Sequence, residues 1–191
     1  MSAARLPKYT VPSLTVETGA KVAEILQQRL DALNDLQLTL KHIHWNVVGP
    51  HFIAVHEMID PQVDAVREMV DTIAERIATL GVAPQGTPGA IVANRTWDDY
   101  SLGRASTIAH LGALDTVYQG VISDHRAAAT ATEDLDDVTN DILIGHLQEL
   151  ELFHWFVRAH LESAGGSLST TDADGESESA KLAEKDARGT A

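Results

Sequence analysis

The spacing of apolar residues constrains this 191-residue chain more than any other feature. Four long segments repeat them every three or four residues, the period of one helix face, and no segment shows the convincing alternation of a half-buried strand. The first runs from about Val16 to Val47, with Val22, Leu26, Leu30, Leu33, Leu36, Leu40 and Val47 on one stripe. The second runs from about Ile53 to Leu80, with Ile59, Val63, Val66, Val70, Ile73, Ile77 and Leu80 inward. The third runs from about Leu102 to Ala131, with Ser101 as N-cap and Ile108, Leu111, Leu114, Tyr118, Val121 and Ile122 inward. The fourth runs from about Thr139 to Ala164, with Leu143, Leu147, Leu150, Val157 and Leu161 inward, and stops at Gly165-Gly166.

The connections narrow the topology. Gly49-Pro50 is a short link, so the first two helices are antiparallel neighbours. Residues 81–101 form a much longer link, rich in Gly and Pro at its start, in which the stretch Arg95 to Tyr100 is expected to hold a short helix. The fold class expected is all-α: a ferritin-like four-helix bundle with one long crossover between helices 2 and 3. An up-down bundle with a decorated loop is the alternative. The bundle domain spans 16–164. Residues 1–15 are expected to be a flexible arm, and 165–191, rich in Ser, Thr, Asp and Glu, a disordered acidic tail.

Composition excludes several chemistries. There is no cysteine, so disulfide scaffolds, zinc–thiolate sites, iron–sulfur clusters and thiol catalysis are out. No apolar run approaches the ~20 residues that span a bilayer, and no signal-peptide core follows Met1. With 14 basic and 28 acidic side chains the formal charge is −14, hostile to nucleic acid and to anionic lipid and favourable to cations such as metal ions. The expected location is the cytoplasm, with nucleoid association as a variant.

Nine histidines make the metal reading worth following. On the second helix, His56, Asp60, Asp71 and Glu75 fall within a sector of about 100°. Asp60 and Asp71 are nonetheless ~16 Å apart along the axis, and His56 and Glu75 ~28 Å, whereas metal–ligand bonds are ~2 to 2.5 Å. One helix cannot bring all four to one ion. Both pairs, however, are centred on the Ala65–Val66 bond. An antiparallel copy packed about a two-fold axis at that point sets Asp60 against Asp71 and His56 against Glu75, and His44 can join from the first helix. Two equivalent sites of imidazoles and carboxylates result, a donor set suited to Fe(II), Mn or Zn, with iron the first choice.

These residues also carry a resemblance. His44-Trp45-Asn46, Gly49 to Ile53, Val55-His56-Glu57-Met58-Ile59-Asp60 and Ala74-Glu75-Arg76 look like the signature of the Dps family, the mini-ferritins named for DNA protection in starved cells. The match extends over roughly 16–164, including Phe153-His-Trp-Phe, and fits the actinobacterial type with a C-terminal tail. The resemblance implies a hollow homo-dodecamer whose ferroxidase sites use His44, His56 and Asp60 of one subunit with Asp71 and Glu75 of its two-fold mate. It implies oxidation of Fe(II) to Fe(III), preferentially by hydrogen peroxide, storage of a ferric mineral, protection against oxidative stress, and no haem. It also implies that Trp45 absorbs stray oxidising equivalents, although Trp45 is as readily read as packing; Trp155 is read as core.

Other groups are weighed against plainer readings. Asp134, Asp136, Asp137 and Asp141 crowd the entry to the fourth helix, where capping and the helix dipole favour acids. The resemblance makes Asp137 and Asp141 an iron-entry pore on a three-fold axis. Glu151-Leu-Phe-His154 has the Glu-x-x-His spacing of larger di-iron proteins, but no second such motif exists, so it is read as a decoy. His42 is read as a surface residue or as a support behind the ligands, and His51, His110, His125, His146 and His160 as ordinary surface or core histidines. The tail sets Lys181, Lys185 and Arg188 against Asp172, Asp174, Glu176, Glu178, Glu184 and Asp186, a net of −3, so DNA binding is disfavoured. A nucleoid structural protein that compacts DNA is the rival reading, and a zinc or manganese store a second.

Overall fold

The structure is a computed structural model that describes residues 7–189. Its helices are α1 (Val16–Asn46), α2 (Phe52–Thr79), α3 (Pro88–Asn94), α4 (Thr107–Thr132), α5 (Asp137–Arg158) and α6 (Glu176–Gly189). The expected stripes form the core: Val22, Leu26, Leu33 and Leu40 of α1, Ile59, Val66, Ile73 and Ile77 of α2, Leu114 and Tyr118 of α4, and Leu143, Leu150 and Val157 of α5 are all fully buried. The four long helices pack as a ring in which α1 touches α2 and α4, and α5 touches α2 and α4.

Two residue pairs set the direction of the chain. β1 (Val47–Val48) lies parallel to β2 (Ala105–Ser106), with Val47 opposite Ala105. This ties the end of α1 to the start of α4, and Thr107 Oγ1 donates to the Pro50 carbonyl at 2.8 Å. The starts of α2 and α4 are therefore level, so these helices run parallel and the connection between them must traverse the bundle. It does so along α1. Gln27 exchanges two hydrogen bonds with the Gln85 backbone (2.8 and 2.9 Å), Asp31 accepts from Asn94 at 3.3 Å, and Trp97 Nε1 donates to Asp35 at 2.8 Å. The bundle is thus the ferritin-like variant with its long crossover between the second and third bundle helices.

Several expected boundaries move. The crossover helix is Pro88–Asn94, with proline in its first turn, and 95–101 is not helical. α4 starts at Thr107 with Ser106, not Ser101, as its cap, because 105–106 are paired with β1 and the Ser101 amide is committed to Glu176. α5 starts at Asp137, capped by Asp136 through a bond from Thr139 N, and ends at Arg158 rather than near Ala164.

The largest correction concerns the tail. Residues 1–6, 190 and 191 lie outside the described residues, so the first six residues of the expected N-terminal arm are not described. Within 165–189, however, the expected disorder gives way to α6, docked on α4. A Cβ placed on Gly112 would meet the Ser179 carbonyl at 2.6 Å and the Ala183 methyl at 2.9 Å, so only glycine lets these backbones come so close. Ser179, Ala180 and Ala183 are buried there, and Thr116 and Ser179 share a hydrogen bond of 2.6 Å. The scarcity of large apolar residues, which suggested disorder, is what a close helix–helix contact demands. Asp115 pins the segment before α6, accepting from His154 Nε2 (2.6 Å), Arg158 Nε (3.1 Å) and Thr170 Oγ1 (2.7 Å). Burial works to raise that carboxyl, but these three donors together hold it below its ordinary value.

Candidate metal centre

α1 and α2 form an antiparallel hairpin, and its closed end holds His44 and His56. The rings stack at 3.6 Å between centroids. His44 Nδ1 donates to the His56 carbonyl at 3.1 Å, and His56 Nδ1 donates to the His44 carbonyl at 3.0 Å. A carbonyl can only accept, so both rings carry their proton on Nδ1, which leaves Nε2 of each as a free lone pair. This is how metal-binding imidazoles are oriented: the far nitrogen is fixed on a backbone acceptor and the near one is presented as donor. Asp60, one turn after His56, has Oδ1 at 3.1 Å from His44 Nδ1. Lys41 Nζ donates to the same oxygen at 2.9 Å and is the main reason the Asp60 carboxyl lies below its usual range.

Lys41 was not singled out in the sequence, although its position one turn before His44 is signal enough. Trp45 is 71% exposed, so it is not packing within this chain; Lys41 Nζ lies 5.8 Å from its ring. Trp155, expected in the core, is 59% exposed because α5 buries His154 and Val157 instead and turns Trp155 outward.

Asp71 and Glu75 are exposed farther along α2 and are not brought to the histidines. Among the described residues, no group of three or more His, Asp or Glu is placed to hold a metal. One chain therefore presents His44, His56 and Asp60 at one end of α2 and Asp71 and Glu75 at the other, as the helical rise requires.

The remaining candidates have other duties. Asp136 caps α5 and pairs with Arg76 at 2.6 Å, while Asp137 and Asp141 stay exposed. Glu151 meets Arg126 and His154 meets Asp115, so the Glu-x-x-His pair converges on nothing shared. Tyr100 and His110 share a bond of 3.0 Å, and His42 Nε2 donates to the Leu102 carbonyl at 2.8 Å.

Residues 23–164 match the family model of the ferritin-like domain. The DNA protection during starvation protein of Mycolicibacterium smegmatis is 60% identical over 164 residues, covering 86% of this chain and 90% of that one. The chain belongs to the Dps branch of the ferritin-like family. Among solved Dps structures, DpsA14 from Streptomyces coelicolor superposes with a TM-score of 0.87 at 65% identity, covering 88% of this chain and all (100%) of the other. The fine tangled pili major subunit of Haemophilus ducreyi is 51% identical over 160 residues, covering 84% of this chain and 85% of its own. The ferritin-like crossover and the His44–His56 clasp are thus features of a Dps chain. Among the described residues, no helix is long and apolar enough to cross a membrane.

Proposed function

We propose that this chain is the subunit of a cytoplasmic Dps dodecamer that oxidises Fe(II) and stores the ferric product. The observation that carries the reading is the His44–His56 clasp, which locks two imidazoles as Nε2 donors beside Asp60 yet leaves the coordination set incomplete within one chain. The set is completed by Asp71 and Glu75 of a two-fold mate, since both residue pairs are centred on the same point of α2. Iron is the substrate. Two Fe(II) ions give up one electron each to hydrogen peroxide, two protons are taken up, and two waters leave, which bypasses the one-electron route to hydroxyl radical. The chain's own residues position the ions and balance their charge; the redox chemistry belongs to iron. Trp45, exposed and next to His44 in the chain, is proposed to take a stray oxidising equivalent. Asp137 and Asp141, four residues apart on one face of α5, are proposed to ring a three-fold entry pore and draw cations inward.

Anaerobic Fe(II) followed by peroxide tests this: ferric absorbance should rise in proportion to peroxide. Subunits carrying His44→Ala and His56→Ala, reassembled with subunits carrying Asp71→Ala and Glu75→Ala, should regain part of that rate. A site built within one subunit would regain none.

A second reading has one observation in its favour. Docking of α6 engages Glu176 with the Ser101 amide and Glu184 with Ser106, while Lys181, Lys185 and Arg188 remain exposed. The outward face of the tail is less acidic than its sequence, which favours contact with DNA phosphates. Retardation of plain duplex at low salt that is lost on removing 176–191 would support this reading, and unretarded duplex would end it.

A further inference from the structure

A cavity of about 590 Å³ lies between α1 and α4, roofed by residues 97–101 of the crossover and 174–177 at the start of the tail helix. That size is typical of small-molecule sites. Its floor is apolar, formed by Leu36, Val117 and Val121, with Trp97 and Tyr100 as aromatic walls. The Trp97 ring is held in place because its Nε1 is committed to Asp35 at 2.8 Å. Around this floor stand six carboxylates, Asp35, Asp98, Asp99, Asp124, Asp174 and Glu176, and among the described residues no lysine, arginine or histidine lines the space. Among the described residues two guanidinium groups offset them from outside: Arg95 pairs with Asp35 and Asp99, and Arg29 reaches Asp124 at 3.5 Å. The cavity is therefore apolar at its base and strongly negative at its edge.

We propose that this cavity binds a linear aliphatic polyamine, its methylene chain on the Leu36–Val117–Val121 floor and its ammonium groups among the carboxylates. The alternatives fit less well. An anion or a neutral apolar molecule leaves the negative rim uncompensated. A bare metal ion needs donors that converge, whereas no three carboxylates here are close enough to share one. The acids come from four separate segments, α1, the crossover, α4 and the tail, which suits several cationic groups held apart by hydrocarbon. Trp97 and Tyr100 add faces on which an ammonium gains further attraction. Because two of the four segments form the roof, the bound polyamine also fastens the start of the tail to the bundle.

Titration of the full-length assembled protein with spermidine at physiological ionic strength tests the proposal, with magnesium ion and an uncharged diol of similar length as comparisons. One saturable site per subunit is expected for spermidine, with neither comparison competing for it. Gly120 lines the cavity, and a Cβ there meets nothing within 4 Å, so Gly120→Leu fills the space from a helix that tolerates it. It should weaken binding by about tenfold or more. Asp98→Asn with Asp174→Asn, both at exposed positions, should weaken it several-fold while the floor stays intact. Spermidine should also slow proteolytic cutting between residues 160 and 175 in the natural protein and not in the Gly120→Leu variant. Uptake that magnesium displaces, or that both variants leave unchanged, is diffuse attraction to an acidic surface and overturns the proposal. The absence of a saturable site does so as well.

Discussion

His44 and His56 stack 3.6 Å apart between α1 and α2, each Nδ1 anchored on the other residue's carbonyl. His125 and His146 face each other 5.9 Å apart between α4 and α5, and both nitrogens of His125 and Nδ1 of His146 are buried without a hydrogen-bond partner among the described residues. The first pair has acceptors that select one tautomer. The second has burial instead, which pushes His125 down to about 3, with Arg29 and His146 adding to the effect, and His146 down to about 4. Two imidazoles on adjacent helices are not by themselves presented for binding; the bonds that orient them decide which nitrogen is offered. Where these are missing, the pair becomes a neutral wedge in the core that acid can drive apart.

The comparison can be broken at several points. The largest effect is expected from His44→Ala with His56→Ala, which should lower peroxide-driven ferric formation by on the order of 100-fold or more. His125→Leu with His146→Leu should leave that rate within about twofold, and equal losses from both double variants would erase the distinction.

Acid should act on the second pair. Both imidazoles are neutral in the fold with pKa values below the unfolded 6.5, so their contribution is complete above about pH 6.5 and is lost as pH falls toward 4 and 3. The unfolded chain binds the extra protons across that window. Denaturant unfolding at pH 7 and pH 4.5 should differ by roughly 2–4 kcal/mol per subunit from this pair. The double leucine variant should show a markedly smaller difference.

A smaller effect is expected at Lys41. Its ammonium holds Asp60 Oδ1 at 2.9 Å and repels an incoming cation. Lys41→Met should tighten Fe(II) binding by about two- to fivefold at low salt, less as salt rises, as read by anaerobic titration. The smallest effect is reserved for Glu151→Gln. With Glu151 turned to Arg126, iron oxidation should change by less than about twofold.

What the sequence made legible follows periodicity. Stripes such as Leu26–Leu30–Leu33 and Ile59–Val63–Val66 are local signals, and they became the bundle core. The spacing of His56, Asp60, Asp71 and Glu75 is likewise a one-dimensional fact, and it shows why no single chain can gather them. The mutual carbonyl bonds of His44 and His56 are a different matter, because they depend on two backbone segments meeting in space. Trp155 reads as core because it is a large aromatic on a helix, but the register of α5 gives that side to His154. The tail helix carries no stripe of large side chains to mark it in the sequence, because its contact is built from Gly112, Ser179, Ala180 and Ala183.

That small-residue contact has a consequence for how the tail can be used. A helix anchored by leucines would leave a sticky scar on the bundle when it lifted away, inviting aggregation. When α6 lifts, it bares Ala109, Gly112 and Ala113 beside Tyr100, Leu102 and Ala105, a strip in which small residues predominate. A contact built from small residues would let such a helix leave and return at less risk to solubility than one anchored by leucines.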